Sequence, residues 1–158
     1  MTASSSTDLG PALTFLRSIW ALDHALHARS KAMLKRTGLT GPQRLALRII
    51  TLEPRITSGA LAELMHVHPS TLTGVLQRLE TLGLVVRLTD NQDARRALFL
   101  ATPAGEKRSG QIAYSVEGAV SELLKTTSRK DAEVAHKVVL KLAELLLEGT
   151  VSGARNAE

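Results

Sequence analysis

The chain contains no cysteine, which removes disulfides, thiolate metal sites and thiol redox sensing from its mechanisms. The same absence fits a cytoplasmic chain. Aromatic residues make up only 3% of it, so the core has to be built from Leu, Val, Ile and Ala, as in helical proteins. No apolar run approaches the length of a membrane span, and no membrane partner is expected. The segment from Met1 to Asp8 lacks a basic region followed by an apolar one, so a secretory signal is not expected either. A glycine-rich phosphate loop and a nucleophile elbow are also missing, and we expect neither an enzyme nor a cofactor. Acids are in deficit. Twenty Lys and Arg against 15 Asp and Glu leave a formal charge of +5, a balance that favours a polyanionic partner.

What is present is concentrated between Thr57 and Gly105. The pattern there reads short helix, tight turn, second helix, β-hairpin with a charged tip, then a new helix. From Pro69 to about Leu82, Leu72, Val75, Leu76 and Leu79 follow the i, i+3, i+4, i+7 spacing of one buried stripe. Ser70, Gly74, Gln77 and Thr81 fall on the opposite side, flanked by Thr73 and Arg78. Such small, hydrogen-bonding side chains with one cation suit the major groove, where base edges present donors and acceptors. Pro69 stands at the first turn and Gly83 just past the end, as helix boundaries prefer. Leu84 to Thr89 and Ala97 to Ala101 are strand-like runs around the tip Asp90-Asn91-Gln92-Asp93-Ala94-Arg95-Arg96, which places paired arginines beside the helix.

The flanks are helical. A long helix is predicted from Leu9 to about Arg36, with Ala12, Phe15, Ile19, Leu22, Leu26 and Met33 on one face. Leu13, Arg17, Trp20, His24, His27 and Lys31 line an adjacent face. Gly38 breaks it, and Thr40 with Gln43 forms a capping box for a second helix that ends before Pro54. Thr57 caps the third helix, which is expected to turn Leu61 and Leu64 inward. Thr102-Pro103 opens a helix expected to run to about Thr126. Ser128 and Asp131 resemble a second capping box, opening a last helix through Val134, Val138, Leu142 and Leu145 that is expected to fray from about Gly149. The terminal helices carry more leucine than a domain of roughly 60 residues can bury, and self-association through them is the economical answer. We therefore divide the chain into a tail and dimerisation helix (1–36), a winged helix-turn-helix (37–102), C-terminal dimerisation helices (103–150) and a flexible tail (151–158).

With these residues in view, the chain resembles the MarR (multiple antibiotic resistance regulator) family of winged-helix transcription factors. The resemblance rests on Leu39-Thr40-Gly41-Pro42-Gln43, Leu61-Ala62-Glu63-Leu64, Ser70-Thr71-Leu72-Thr73, Arg78-Leu79-Glu80, Leu82-Gly83-Leu84-Val85-Val86-Arg87, Asp93-Ala94-Arg95 and Thr102-Pro103-Ala104-Gly105, in that order and spacing. It implies a mainly α fold with a small β-hairpin wing, and a homodimer whose body is made by the first, fifth and sixth helices. It also implies a repressor of a palindromic operator on double-stranded DNA, with the fourth helix in the major groove and the wing in the minor groove. Release by a small aromatic or phenolic effector is implied as well.

Carried over residue by residue, the resemblance makes Arg95 the minor-groove arginine and Asp93 the acid that steadies its loop. Ser70, Thr71 and Thr73 become phosphate and base-edge contacts, Arg78 a backbone contact and Arg87 a residue at the base of the wing. Thr57, Ser58 and His68, at the starts of the two helices, join this DNA-facing set, as do Gly74, Gln77 and Arg96. Two positions depart from the family pattern: Gly74 and Ala94 stand where a basic residue is often found. A different target sequence is therefore expected.

His24 and His27 share a helix face and raise three readings. A divalent metal would need further ligands, and nothing clusters Asp or Glu with the pair, so no metal is expected. They also suit a partly wet helix interface. In the third reading, Trp20, His24 and His27 line an effector cleft in which Arg17, Arg44 or Arg48 pairs a carboxylate. The competing function is a winged helix used only for protein–protein contact, which would leave the reading face and wing arginines without a purpose.

Overall fold

A computed structural model describes residues 9–90, 93 and 96–154, with side chains described as far as Glu148. Among them the order is α1 (Gly10–Thr37), α2 (Gly41–Leu52), β1 (Ile56–Thr57), α3 (Ser58–Leu64), α4 (Pro69–Thr81), β2 (Val85–Thr89), β3 (Ala97–Ala101), α5 (Pro103–Ser109), α6 (Val116–Thr126) and α7 (Arg129–Ala154). The sheet is antiparallel in the order β1-β3-β2, with Ile56 opposite Phe99, and Arg87 opposite the same residue from the other side.

Local chemistry sets the boundaries. Thr40 and Gln43 form a reciprocal capping box on α2, the Thr40 amide donating to Gln43 Oε1 at 3.0 Å. Thr57 accepts from the Ala60 amide to start α3, and Thr102 accepts from the Gly105 amide to start α5. Gly83 closes α4 with a left-handed φ of 65°, which glycine adopts without a Cβ penalty. The core of the winged-helix region gathers Leu47 and Ile50 of α2, Leu61 of α3, Leu72, Leu76 and Leu79 of α4, and Val85 and Phe99 of the sheet. Gly105 lies so close to Leu84 that a Cβ there would run into the Leu84 carbonyl.

Several expectations need correction. The hairpin is joined by a third strand, because Ile56 and Thr57 pair with β3 after Arg55 takes a positive φ of 68°. Two residues carry too little periodicity to be read as a strand. In α3 the buried pair is Leu61 and Ala62, while Leu64 is exposed. Met65, partly buried one turn after Leu61, packs on the core where Leu64 is expected to. The helix expected from Thr102 to Thr126 is two helices, interrupted between Gly110 and Ser115, where Tyr114 has a φ of 63°. α7 remains helical to Ala154, beyond the expected fraying point.

The chain forms two compact units, Met1–Val116 and Glu117–Glu158. The first thus takes α1 and α5 together with the winged helix. Within it, Arg108 donates to the Thr37 carbonyl, and the Arg36 guanidinium lies 4.0 Å from the centre of the Tyr114 ring, a cation–π distance. The second unit comprises α6 after Val116 and α7. Among the described residues, no helix is long and apolar enough to cross a membrane.

Candidate nucleic-acid interface

α4 is two-faced, as its spacing predicts. Leu72, Leu76 and Leu79 are buried, Val75 is half-buried, and Ser70, Thr71, Thr73, Gly74, Gln77, Arg78 and Thr81 are exposed. His68 is the N-cap: its Nδ1 accepts from the Ser70 amide at 3.3 Å and lies 2.7 Å from Ser70 Oγ. An Nδ1 that accepts carries no proton, which puts the ring N–H on Nε2. Thr73 and Thr81 fold their hydroxyls back onto the helix, donating to the carbonyls of Pro69 and Gln77. Gln77 and Arg78 are thus the long polar side chains of the exposed face.

Ser58 is exposed at the start of α3, while Thr57 is half-buried and engaged as its cap. Arg87 is exposed on β2. Beyond the sheet, the Asp90 amide donates to the Arg96 carbonyl at 3.1 Å, and the Arg96 amide to the Asp93 carbonyl at 2.9 Å. These bonds close the base of the wing, and Asp93 and Arg96 are both exposed there. Arg95 and Ala94 lie outside the described residues.

The residues proposed for an effector are only partly brought together. An open groove of about 520 Å³ is lined by His24, His27, Ser30, Lys31, Leu34 and Thr40. Arg17 and Trp20 are exposed on α1 but are not among its lining. Arg48 is half-buried on α2 and also does not line it. Arg44 is corrected more sharply: it is 5% exposed, and its guanidinium donates to the carbonyls of Arg108 and Ser109 at 3.1 and 3.0 Å. Those bonds hold it inside the unit, away from any groove ligand.

The cation that does line the groove is Lys31, which sits i+4 from His27 and so shares its face. That spacing was available in the sequence. Asp23 is a second residue that helical spacing brings to the pair. His27 Nδ1 lies 3.0 Å from the Asp23 carbonyl and 3.2 Å from its carboxylate, because residue i−4 is a helix neighbour. Both oxygens accept, which puts a proton on Nδ1. No group of three metal-ligating side chains occurs among the described residues.

A helix-turn-helix followed by a β2–β3 hairpin, which β1 joins into a three-stranded sheet, defines the winged-helix class. The sequence model of the MarR family matches residues 39–97. The chain is 33% identical to the transcriptional regulator HosA of Escherichia coli over 104 residues, which cover 66% of this chain and 77% of that protein. It is 27% identical to the HTH-type transcriptional regulator FarR of Neisseria gonorrhoeae over 121 residues, covering 77% and 83% of the two chains. Among solved structures, the S. aureus MepR–DNA complex matches with a TM-score of 0.68 at 19% identity, covering 84% of this chain and 97% of that one. This chain belongs to the MarR family and is a transcriptional regulator rather than an enzyme.

Proposed function

We propose that the protein is a homodimeric repressor that binds a palindromic operator, with α4 in the major groove and the wing in the minor groove. The observation that carries this reading is the exposed polar face of α4, backed by a buried leucine stripe and adjoining a wing that presents Arg96 and, by sequence, Arg95. A solved neighbour of the same fold is bound to DNA. Dimerisation is supported by the apolar surface left uncovered in each unit. In the first, Leu13, Phe15, Leu16, Trp20 and Leu22 are exposed; in the second, Leu123, Val134, Val138, Leu145 and Leu146 are. Patches of this extent mark association surfaces, and a second copy of the chain provides a self-complementary cover. Two such lobes on one two-fold axis match half-sites about one helical turn apart.

The groove over His24, His27 and Lys31 is the place for a small aromatic or phenolic effector. Imidazole rings and one ammonium suit a carboxylate- or phenolate-bearing ring. The test is binding to duplexes tiling the DNA upstream of the protein's own gene, at two salt concentrations with unrelated competitor. Tight, competitor-resistant binding to a palindrome is expected. Weak binding that salt erases everywhere would leave a winged helix that serves protein contacts.

A further inference from the structure

Gly74 stands near the middle of α4, exposed, and a Cβ added there would meet no atom within 4 Å. Among the described residues the glycines with positive φ are Gly10, Gly38 and Gly83, and Gly74 is not one of them. Neither backbone conformation nor packing therefore calls for glycine, in contrast with Gly83 and Gly105. Glycine inside a helix is also less stable than alanine there. With no reason for it inside the chain, glycine here has one remaining use, to let another molecule approach a backbone closer than a Cβ permits.

The surroundings say what approaches. Ser70, Thr71, Gln77 and Arg78 are the helix neighbours of Gly74 at i−4, i−3, i+3 and i+4, and all are exposed. They make a notch with Gly74 as its floor. The peptide groups of that floor are occupied by the helix's own hydrogen bonds, so the floor itself offers neither donor nor acceptor, and the polar groups stand at its rim. It suits an apolar projection. On the major-groove edges of the four bases, the C5 methyl of thymine is that group. Gln77, one turn along, has the amide that pairs in two-point fashion with adenine.

We propose, on the DNA-binding reading above, that Gly74 is a specificity-determining residue whose notch receives a thymine methyl in each half-site, beside the base pair read by Gln77. The test uses the full chain. A duplex is first selected by the wild-type protein from a randomised pool, and each thymine of its half-sites is then replaced in turn by deoxyuridine. One replacement should weaken wild-type binding about fourfold per half-site, the contribution of burying one methyl group. Gly74→Ala should melt at a higher temperature than wild type, showing an intact fold. It should bind the thymine duplex at least about fivefold more weakly, the lower range for a wrong base pair, and recover on the deoxyuridine duplex at that same position.

Deoxyuridine scanning that is neutral everywhere would overturn the proposal. So would Gly74→Ala binding the thymine duplex as well as wild type does. If wild type selects no duplex at all, the DNA-binding reading falls first and this one with it, and that result appears before any substitution is made.

Discussion

The Arg44 guanidinium, buried on α2, donates to the main-chain carbonyl of Ser109 at 3.0 Å, joining positions 65 residues apart. With the bond to Arg108, it fastens the end of α5 to the winged-helix core. Arg44→Ala removes the donor of the Ser109 carbonyl, a buried contact, and one donor of the Arg108 carbonyl, which keeps the Gln111 amide. It should lower unfolding stability by about 3 kcal/mol, the scale of a lost charged donor. Arg44→Lys cannot span both carbonyls with one ammonium and should recover less than half of that loss. Urea unfolding at fixed protein concentration is the measurement. A loss below about 0.5 kcal/mol for Arg44→Ala would mean the bonds add little to the fold.

Gly105 and Gly74 should respond in opposite directions to the same substitution. Gly105→Ala drives a Cβ into the Leu84 carbonyl and should cost about 1–3 kcal/mol through overpacking. Gly74→Ala meets open space and should add about 1 kcal/mol through helix propensity. Melting temperatures of the two variants check both signs.

Arg95→Ala should weaken operator binding by at least about 1 kcal/mol and leave the oligomeric state unchanged. Unchanged affinity in a titration at moderate salt would take the wing out of the DNA interface.

Lys31→Met tests the groove on α1. If an aromatic acid releases wild-type protein from DNA, the variant should need about tenfold more of it, the value of one charge-assisted hydrogen bond. An identical release curve would move the carboxylate partner elsewhere. DNA affinity without ligand serves as the control.

Trp20 is the sole tryptophan and is 65% exposed in the single chain. In a dimer that covers the apolar face of α1, its emission should shift to the red on dilution, at the concentrations where sedimentation shows dissociation. A water-like spectrum at concentrations where the chain sediments as a dimer would place Trp20 outside the interface.

Sequence alone determined the capped starts of α2, α3 and α5 and the two-faced reading helix. The leucine period of α4, the Thr40–Gln43 box and the Thr102-Pro103 start are decided within one or two helical turns, so local order suffices to read them. The exposed face of α4 was legible for the same reason, since burying Leu72, Leu76 and Leu79 leaves the other side to solvent. The pairing of Ile56 with Phe99 and the bonds from Arg44 to Arg108 and Ser109 join residues more than 40 positions apart. No periodicity announces such contacts. The break between Gly110 and Ser115 is flanked by further distant contacts, with Arg108 on Thr37 and Tyr114 against Arg36. Arg44 shows the difference most plainly. Its charge, read in the sequence, suggested a ligand; only packing could assign that charge to the carbonyls of α5, because burial leaves an arginine stable only where acceptors already wait for it.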